Sequence, residues 1–238
     1  MNKPRISFWH ALSVALLLLV GRSSAWGQAN NAVDAQGKKH GTWVKYHEGG
    51  KVMRYQGQFQ HGIPVGSWLY LHANGQKMAE MKYRGASGVC KATEYAEDGK
   101  KAALGLYSGP NQKDSTWTYY RADGSLLSRE LYEKGIPVGT WYTYHPNGKV
   151  ADENRYAKGV KQGSFASYTE EGKVRMRGNY ANGTLDGWLE SFDSNGKLKF
   201  KGQYAKGLKI GTWMYFEDGR TVRMETYKGG RLVKTENR

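Results

Sequence analysis

The sequence predicts an all-β protein: an elongated single antiparallel meander built from about eight copies of one 24-residue unit. Three observations predict this fold. They are a ladder of evenly spaced glycines, an aromatic residue at a fixed distance from seven of the eight, and Asn-Gly or Asp-Gly pairs between short runs of strand-forming residues. Self-similarity at a period of about 20 to 50 residues is typical of repeat architectures. Stacked repeats offer extended surfaces, so the fold favours binding over catalysis.

Turn glycines recur at steps of 23 to 25 residues, at Gly50, Gly75, Gly99, Gly124, Gly148, Gly172, Gly196 and Gly219. Tyrosine follows seven of them at a distance of eight residues, at Tyr83, Tyr107, Tyr132, Tyr156, Tyr180, Tyr204 and Tyr227. The pentapeptide Gly62–Gly66 returns unchanged as Gly135–Gly139. These regularities predict repeats that follow one another without interruption.

Each repeat contains a hairpin signal, which is clearest around the pair Asn147-Gly148. Pro146 suits the first central position of a type I turn and Asn147 the second, while Gly148 suits the left-handed conformation of a bulge. A second cluster, Gly-x-x-x-Gly, turns the chain into the next repeat. Connections this short join only neighbouring antiparallel strands, so we expect roughly 16 strands in sequence order and no helix.

Side chains alternate across a strand, so Trp141 and Tyr144 should face opposite sides of the sheet. Stacking the repeats predicts a structural aromatic ladder on one face, formed by Trp43, Trp68, Trp117, Trp141, Phe165, Trp188 and Trp213. A second column is predicted on the other face, formed by Tyr46, Leu71, Tyr95, Tyr120, Tyr144, Tyr168 and Phe216. Such cross-strand pairs stabilise sheets, so these columns should replace a thick core.

The pattern Tyr-x-x-Gly-x-x-x-Gly-x-Trp-x-x-Tyr-x-x-Asn-Gly-Lys resembles the MORN-repeat group, in particular a bacterial variant found in proteins labelled YwqK-type antitoxin components. The resemblance extends from about Gly41 to Gly230. It implies an elongated, curved antiparallel sheet with a groove that serves protein or membrane association without catalysis. Antitoxin-like neutralisation of a partner is one role that the resemblance implies.

The third repeat departs from the pattern. Ala92 replaces the expected tryptophan, Gly85 follows Tyr83 too early, and Cys90 is the one cysteine of the chain. The fourth repeat also begins irregularly, with Pro110 in place of glycine. We expect a notch in the ladder between residues 85 and 115, which is either a binding site or the result of sequence drift.

Residues 1–29 have the layout of a signal peptide, with a basic start and an apolar run from Phe8 to Val20. The run is shorter than the roughly 20 residues that span a bilayer as a helix. Cleavage is predicted after Ala29, with Ala25 as the alternative, and the chain is expected to be exported to the periplasm or outside the cell. The remaining chain divides into a linker (30–40), the repeat domain (41–230) and a tail (231–238).

Removing residues 1–29 takes away three basic residues and no acidic one, which leaves 33 basic and 21 acidic residues and a charge of +12. Part of this charge is systematic, because a basic residue directly follows six of the turn glycines, as Lys51, Lys100, Lys149, Lys173, Lys197 and Arg220. We call these six residues the basic edge. It is a candidate site for an anionic partner, or a row that protects the edge from aggregation.

No catalytic motif, phosphate-binding loop or Cys-x-x-Cys is present. His40, His61 and His72 cluster only near the N-terminal repeats, and a metal site needs three or four converging ligands. We therefore expect no catalytic residue, cofactor, metal or specific nucleic acid. The predicted function is a non-catalytic scaffold in the cell envelope that binds a protein along a sheet face. The alternative is a binder of carbohydrate or of an anionic membrane or lipopolysaccharide surface, through exposed aromatics and the basic edge.

Overall fold

The computed structural model describes residues 30–238, so the predicted signal peptide and its cleavage sites lie outside the described part. Within these residues all regular structure is strand, and 19 strands form one sheet. No helix of the described part is long and apolar enough to cross a membrane. The strands are β1 (Gly41–Tyr46), β2 (Met53–Gln60), β3 (Ile63–Leu71), β4 (Lys77–Tyr83), β5 (Cys90–Tyr95), β6 (Lys101–Gly109), β7 (Gln112–Tyr120), β8 (Leu126–Glu133), β9 (Ile136–Pro137), β10 (Gly139–Tyr144), β11 (Val150–Ala157), β12 (Val160–Tyr168), β13 (Val174–Ala181), β14 (Thr184–Leu185), β15 (Gly187–Phe192), β16 (Leu198–Ala205), β17 (Leu208–Glu217), β18 (Arg220–Lys228) and β19 (Arg231–Asn237).

All pairings are antiparallel and join strands that are close along the chain, from β1 with β2 to β18 with β19. Both β9 and β10 pair with β8, and both β14 and β15 pair with β13, so each of these couples is one interrupted strand. The end strands β1 and β19 each pair with a single neighbour, so the sheet is open. The predicted all-β meander is confirmed.

The two ends of the repeat domain differ from the predicted segments. The segment 231–238, predicted to be a tail, contains β19 and extends the sheet. The segment 30–40, predicted to be a linker, folds back on itself through an isolated bridge between Val33 and Lys39. Its Asn31 donates a backbone hydrogen bond to the carbonyl of Thr42, so this segment packs against the first repeat.

The Asn-Gly turns have the predicted geometry. The backbone N–H of Gly148 donates to the carbonyl of His145 at 2.9 Å, and Gly148 has a φ of 82°. The strand register shifts between Thr143 and Tyr144, as a bulge beside a type I turn requires. The second turn of the repeat uses two left-handed residues, such as Lys134 (φ 48°) and Gly135 (φ 86°). That pair matches the twist of a two-residue hairpin.

The core lies on one face of the sheet. Trp68, Trp117 and Trp213 are buried there, and Trp117 is completely shielded from solvent. We call this side the ladder face and the opposite side the groove face. Each of the three indoles packs flat on a glycine of the preceding strand, at Gly57, Gly105 and Gly202. A Cβ at Gly105 would lie 2.3 Å from the Trp117 ring, so only glycine leaves room for the indole.

The ladder is less uniform than predicted. Trp188, placed in it by the sequence, is 51% exposed, and Leu189 occupies the buried position instead. Strand alternation explains why Leu189 and not Trp188 is buried. Trp188 directly follows Gly187 and so points to the groove face, whereas Leu189 is one residue further and points to the ladder face. Trp141 keeps its place in the ladder but is only half-buried. The preceding strand carries Glu130 where the buried tryptophans have glycine, so this indole cannot pack as closely.

Candidate functional site

The six residues of the basic edge are exposed, each beside its turn glycine. Several of its amines contact the next turn along the sheet. Lys149 Nζ donates to the carbonyl of Glu171 at 3.0 Å, and Lys173 Nζ to the carbonyl of Ser194 at 3.2 Å. Lys197 forms an ion pair with Asp218 at 3.0 Å, although its side chain remains 55% exposed. The edge therefore links successive turns and also presents positive charge to solvent.

Histidine and asparagine side chains also link the turns, a role that sequence reasoning missed. His145 Nε2 donates to the carbonyl of Tyr168 at 3.0 Å, and Asn147 Nδ2 to the carbonyl of Glu170 at 2.8 Å. His47 and His72 make the same contact with the carbonyls of Leu71 and Tyr95. The repeat period could have indicated these contacts, because each donor and its acceptor lie one repeat apart along the chain.

A second set of lysines, which the sequence did not reveal, covers the aromatic rings of the ladder face. Lys209 Nζ lies 4.1 Å from the centroid of the Trp213 ring and 4.7 Å from that of Tyr227. Lys39, Lys113 and Lys161 lie over aromatic rings in the same way. Cations above aromatic faces are favourable contacts. They leave little of the ladder rings free to stack on a ligand.

The groove face presents an open, mainly polar surface. A cavity of about 710 Å³ lies there across the first five strands. Alternation along the strands puts on this face the lining residues Thr42, Gln56, Gln58, Leu69, Glu80, Lys82, Lys91 and Thr93. All of these residues except Leu69 are polar or charged, which suits a surface that contacts another polar molecule.

Exposed basic side chains continue along the groove face beyond this cavity, and they include Arg129, Arg155, Arg175, Arg177 and Lys199. Arg177 forms an ion pair with Glu190 at 2.6 Å. Acidic side chains in the strand centres of this face are fewer, at Glu80, Glu153 and Glu190. The groove face is therefore a positively charged strip along the sheet, in addition to the basic edge.

The second predicted aromatic column lies on the groove face, close to its turn end. Arg129 lies 6.0 Å from the Tyr144 ring centroid, and the Tyr95 hydroxyl donates to Glu80 at 2.7 Å. Tyr46 is the most exposed of the column, at 53%. Phe192 occupies the column in the seventh repeat, under Arg177 at 5.4 Å. Sequence reasoning missed Phe192, although it stands 24 residues from both Tyr168 and Phe216.

One group of side chains in the described residues has ligand atoms close enough to share a metal ion, formed by Asp34, His40 and His61. His61 Nδ1 lies 2.7 Å from Asp34 Oδ2, and His40 Nδ1 is buried without a hydrogen-bond partner. The hydrogen bond from His61 lowers the pKa of the Asp34 carboxyl. His72, which the sequence grouped with them, bonds to a backbone carbonyl instead. The group ties the segment 30–40 to the turn between β2 and β3.

A family model described as a MORN repeat variant matches residues 39–61, 137–158 and 185–206. The predicted resemblance to this repeat group is thereby confirmed, and the finer YwqK-type resemblance stays a prediction. Each matched segment contains one hairpin turn, at Gly49-Gly50, Asn147-Gly148 or Asn195-Gly196, together with the two strands that the turn joins. No curated protein matches the chain.

Among solved structures, the chain is similar to the crystal structure of TcdB2-TccC3-Cdc42, with 14% identity and a TM-score of 0.24. A Photorhabdus luminescens Tc holotoxin pore with mutated TccC3 matches with 14% identity and a TM-score of 0.23. The alignments cover 84% of this chain but only 13% of each of those chains. The chain therefore spans a small part of the structures it matches.

Proposed function

We propose that this chain, which carries MORN repeats of the variant type, is a non-catalytic scaffold that binds an acidic protein surface along its groove face. The observation that carries the proposal is the positively charged, open groove face, with its cavity of about 710 Å³. Charge complementarity of this kind steers a partner to its site and selects against wrong partners. A row of repeats supplies the long contact area that such binding needs.

The ladder face is less suited to this role. Its largest rings, Trp117 and Trp213, are buried, and half-buried lysines such as Lys113 and Lys209 cover them. A partner would have to displace these lysines before it reached the rings. The groove face needs no such rearrangement, because Arg129 and Arg155 are already exposed.

The basic edge supports a second candidate function, binding to an anionic membrane or polysaccharide surface. The observation that favours it is the exposure of the amines, with the side chain of Lys100 58% exposed and that of Lys197 55% exposed. Binding of this kind depends on screened surface charge, so it should weaken with salt. Export of the chain and neutralisation of a toxin are further parts of the proposal. Export rests on the signal-peptide layout of residues 1–29, and neutralisation rests on the resemblance to YwqK-type repeat proteins.

The experiment is a pull-down from envelope extract with the purified protein and two matched variants. Arg129→Gln, Arg155→Gln and Lys199→Gln together remove three positive charges from the exposed residues of the groove face. Lys149→Gln, Lys173→Gln and Lys197→Gln remove three from the basic edge. We expect the groove variant to lose most of the captured partner at physiological salt, and the edge variant to retain it.

The opposite result, capture lost only in the edge variant, would support the anionic-surface function and overturn the proposal. Circular dichroism of both variants checks that the strand content of the parent is kept. A vesicle sedimentation assay with anionic and neutral lipids separates membrane binding from protein capture.

A further inference from the structure

One position in the repeat, four residues before each ladder residue, holds the lysines that lie over aromatic rings of the ladder face. Four repeats have lysine at this position, namely Lys39, Lys113, Lys161 and Lys209. Three others have Pro64, Pro137 and Leu185. Lys113 Nζ lies 4.6 Å from the Trp117 ring centroid. The third repeat is the exception, because it has Gly88 at this position and so has no covering side chain.

The third repeat also lacks the ring itself. Ala92 is at the ladder position, is completely buried, and pairs with Met81 of the preceding strand. Met81 replaces the glycine that faces the buried tryptophans, as Gly105 faces Trp117. A methionine and an alanine thus take the place of a glycine and a tryptophan. Met81 therefore occupies the sheet surface where a tryptophan would pack. Above Met81 there is neither an indole, because Ala92 replaces tryptophan, nor a covering side chain, because Gly88 replaces lysine or proline.

The connection into the third repeat leaves this space open. In a regular repeat the strands continue past the tyrosine, as where Tyr132 pairs with Pro137 and Glu133 with Ile136. In the third repeat Tyr83 pairs directly with Cys90, and residues 84–89 form a loop instead. No proline or lysine of this repeat therefore reaches over the sheet.

The result is a cavity of about 290 Å³ on the ladder face, at the position of the predicted notch. Its walls include Tyr70, Tyr83, Tyr107, Met81 and Cys90, and the prolines of the neighbouring turns, Pro64 and Pro110, close its sides. Burial raises the pKa of the Cys90 thiol and of the Tyr83 and Tyr107 hydroxyls, so these walls are uncharged at neutral pH.

We infer that this cavity is a binding site for a small, uncharged bicyclic aromatic molecule of the indole class. The repeat itself shows which group fits between the two flanking tyrosines. Trp213 packs between Tyr204 and Tyr227, with ring centroids 5.1 and 6.2 Å away. The third repeat keeps the equivalent pair, Tyr83 and Tyr107, but supplies no ring of its own.

Size and polarity agree with this ligand class. An apolar protein cavity of about 150 Å³ accommodates benzene, so a larger cavity with aromatic walls can take a bicyclic ring. Apolar walls with a few polar groups are typical of small-molecule sites. Here the polar groups are the tyrosine hydroxyls, the Cys90 thiol and the Asn111 side chain. The Tyr107 hydroxyl already donates to Glu94 at 2.9 Å.

The test is isothermal titration calorimetry of the full chain with indole, up to millimolar concentration. We expect saturable binding to one site. Tyr107→Leu removes one aromatic wall and should weaken binding about tenfold. The matched control is Tyr156→Leu, at the same position of a repeat that has its own tryptophan, and it should leave binding unchanged.

A second variant fills the site from within. Met81→Gly with Ala92→Trp restores the glycine and tryptophan of the intact repeats, and it should abolish indole binding while the protein keeps its strand content. The proposal is overturned if the parent binds no indole, or if the filled variant binds it as tightly as the parent. Equal loss in Tyr107→Leu and Tyr156→Leu would also overturn it, and that comparison decides the matter if the filled variant fails to fold.

Discussion

The indole of Trp213 lies flat against Gly202, so that a Cβ at Gly202 would come within 2.1 Å of Trp213 Cδ2. The same contact joins Trp68 to Gly57 and Trp117 to Gly105. Each pair combines the largest side chain with the smallest residue across two neighbouring strands. Residues 30–238 form a single sheet layer. The complementarity lets this layer bury tryptophan, because the glycine removes the side chain that would hold the indole away from the backbone.

Gly105→Ala tests this contact. The added methyl group would meet the Trp117 ring at 2.3 Å, and neither group can move away easily. We expect a loss of about 1–3 kcal/mol in the free energy of unfolding, as for other overpacked cores. Chemical denaturation measures it. Asn154→Ala is the control, since this position already holds a side chain facing Phe165, and it should cost less than about 0.5 kcal/mol.

Removing a ladder tryptophan should cost an amount that follows its burial. Trp117→Ala empties a fully shielded position and should lower the free energy of unfolding by about 3–5 kcal/mol. Trp141→Ala should cost less, because this indole is half-buried. Trp188→Ala should cost least, since its side chain is 51% exposed. Equal losses for Trp117→Ala and Trp188→Ala in urea denaturation would contradict the register described above.

Structural features that are set by adjacent residues could be predicted from the sequence, whereas features that depend on strand register or on contacts between strands could not. The turn at Asn147-Gly148 could be read from the sequence, because its backbone geometry is set by the turn residues themselves. The place of Trp188 was predicted wrongly, although Leu189 stands at the same distance from Gly187 as Trp141 from Gly139. Periodicity favoured the aromatic residue, whereas strand alternation selected its neighbour.

The lysines that cover the ladder could not be predicted, because their position also holds proline, leucine and glycine. Only the three-dimensional contact of Lys209 with Trp213 reveals what the position does. The charged groove face was equally hidden. Its members, such as Arg129 and Arg155, lie on separate strands and share no motif.

The links between turns should contribute to stability individually. Asn147→Ala removes the hydrogen bond to the carbonyl of Glu170 at 2.8 Å and the bond that its own side chain accepts from Lys149 at 3.0 Å. We expect a loss of about 1–2 kcal/mol, the usual contribution of one or two partly exposed hydrogen bonds. Thermal denaturation of this variant beside Pro146→Ala, which removes neither bond, gives the comparison. A larger effect of Pro146→Ala would assign the stability to turn conformation instead.

Glu225 should give the last repeat a dependence on pH. Its carboxylate accepts hydrogen bonds from the hydroxyls of Tyr215 at 2.7 Å and Tyr227 at 2.8 Å, and the Tyr215 contact lowers the pKa of the carboxyl. A carboxyl whose pKa is lower in the folded state stabilises the fold above its unfolded pKa, and this contribution is lost as the pH falls through the folded pKa.

Glu225→Gln should therefore narrow the difference in stability between neutral and acidic pH. Denaturation midpoints of parent and variant measure this effect. They are compared from neutral pH down to about pH 3, which is below the usual pKa of glutamate. Parallel pH profiles for the two proteins would show that this carboxylate is not linked to folding.

The most direct test of partner binding along the groove face is arginine labelling of the complex. Phenylglyoxal modification, read by mass spectrometry, compares the free protein with the protein bound to the partner captured from extract. Arg129 and Arg155 lie exposed on the groove face, and Arg220 lies exposed on the basic edge, so one reagent reports on both surfaces. We predict that bound partner protects Arg129 and Arg155 while Arg220 stays reactive. Protection of Arg220 with Arg129 and Arg155 still reactive would contradict the proposed binding face.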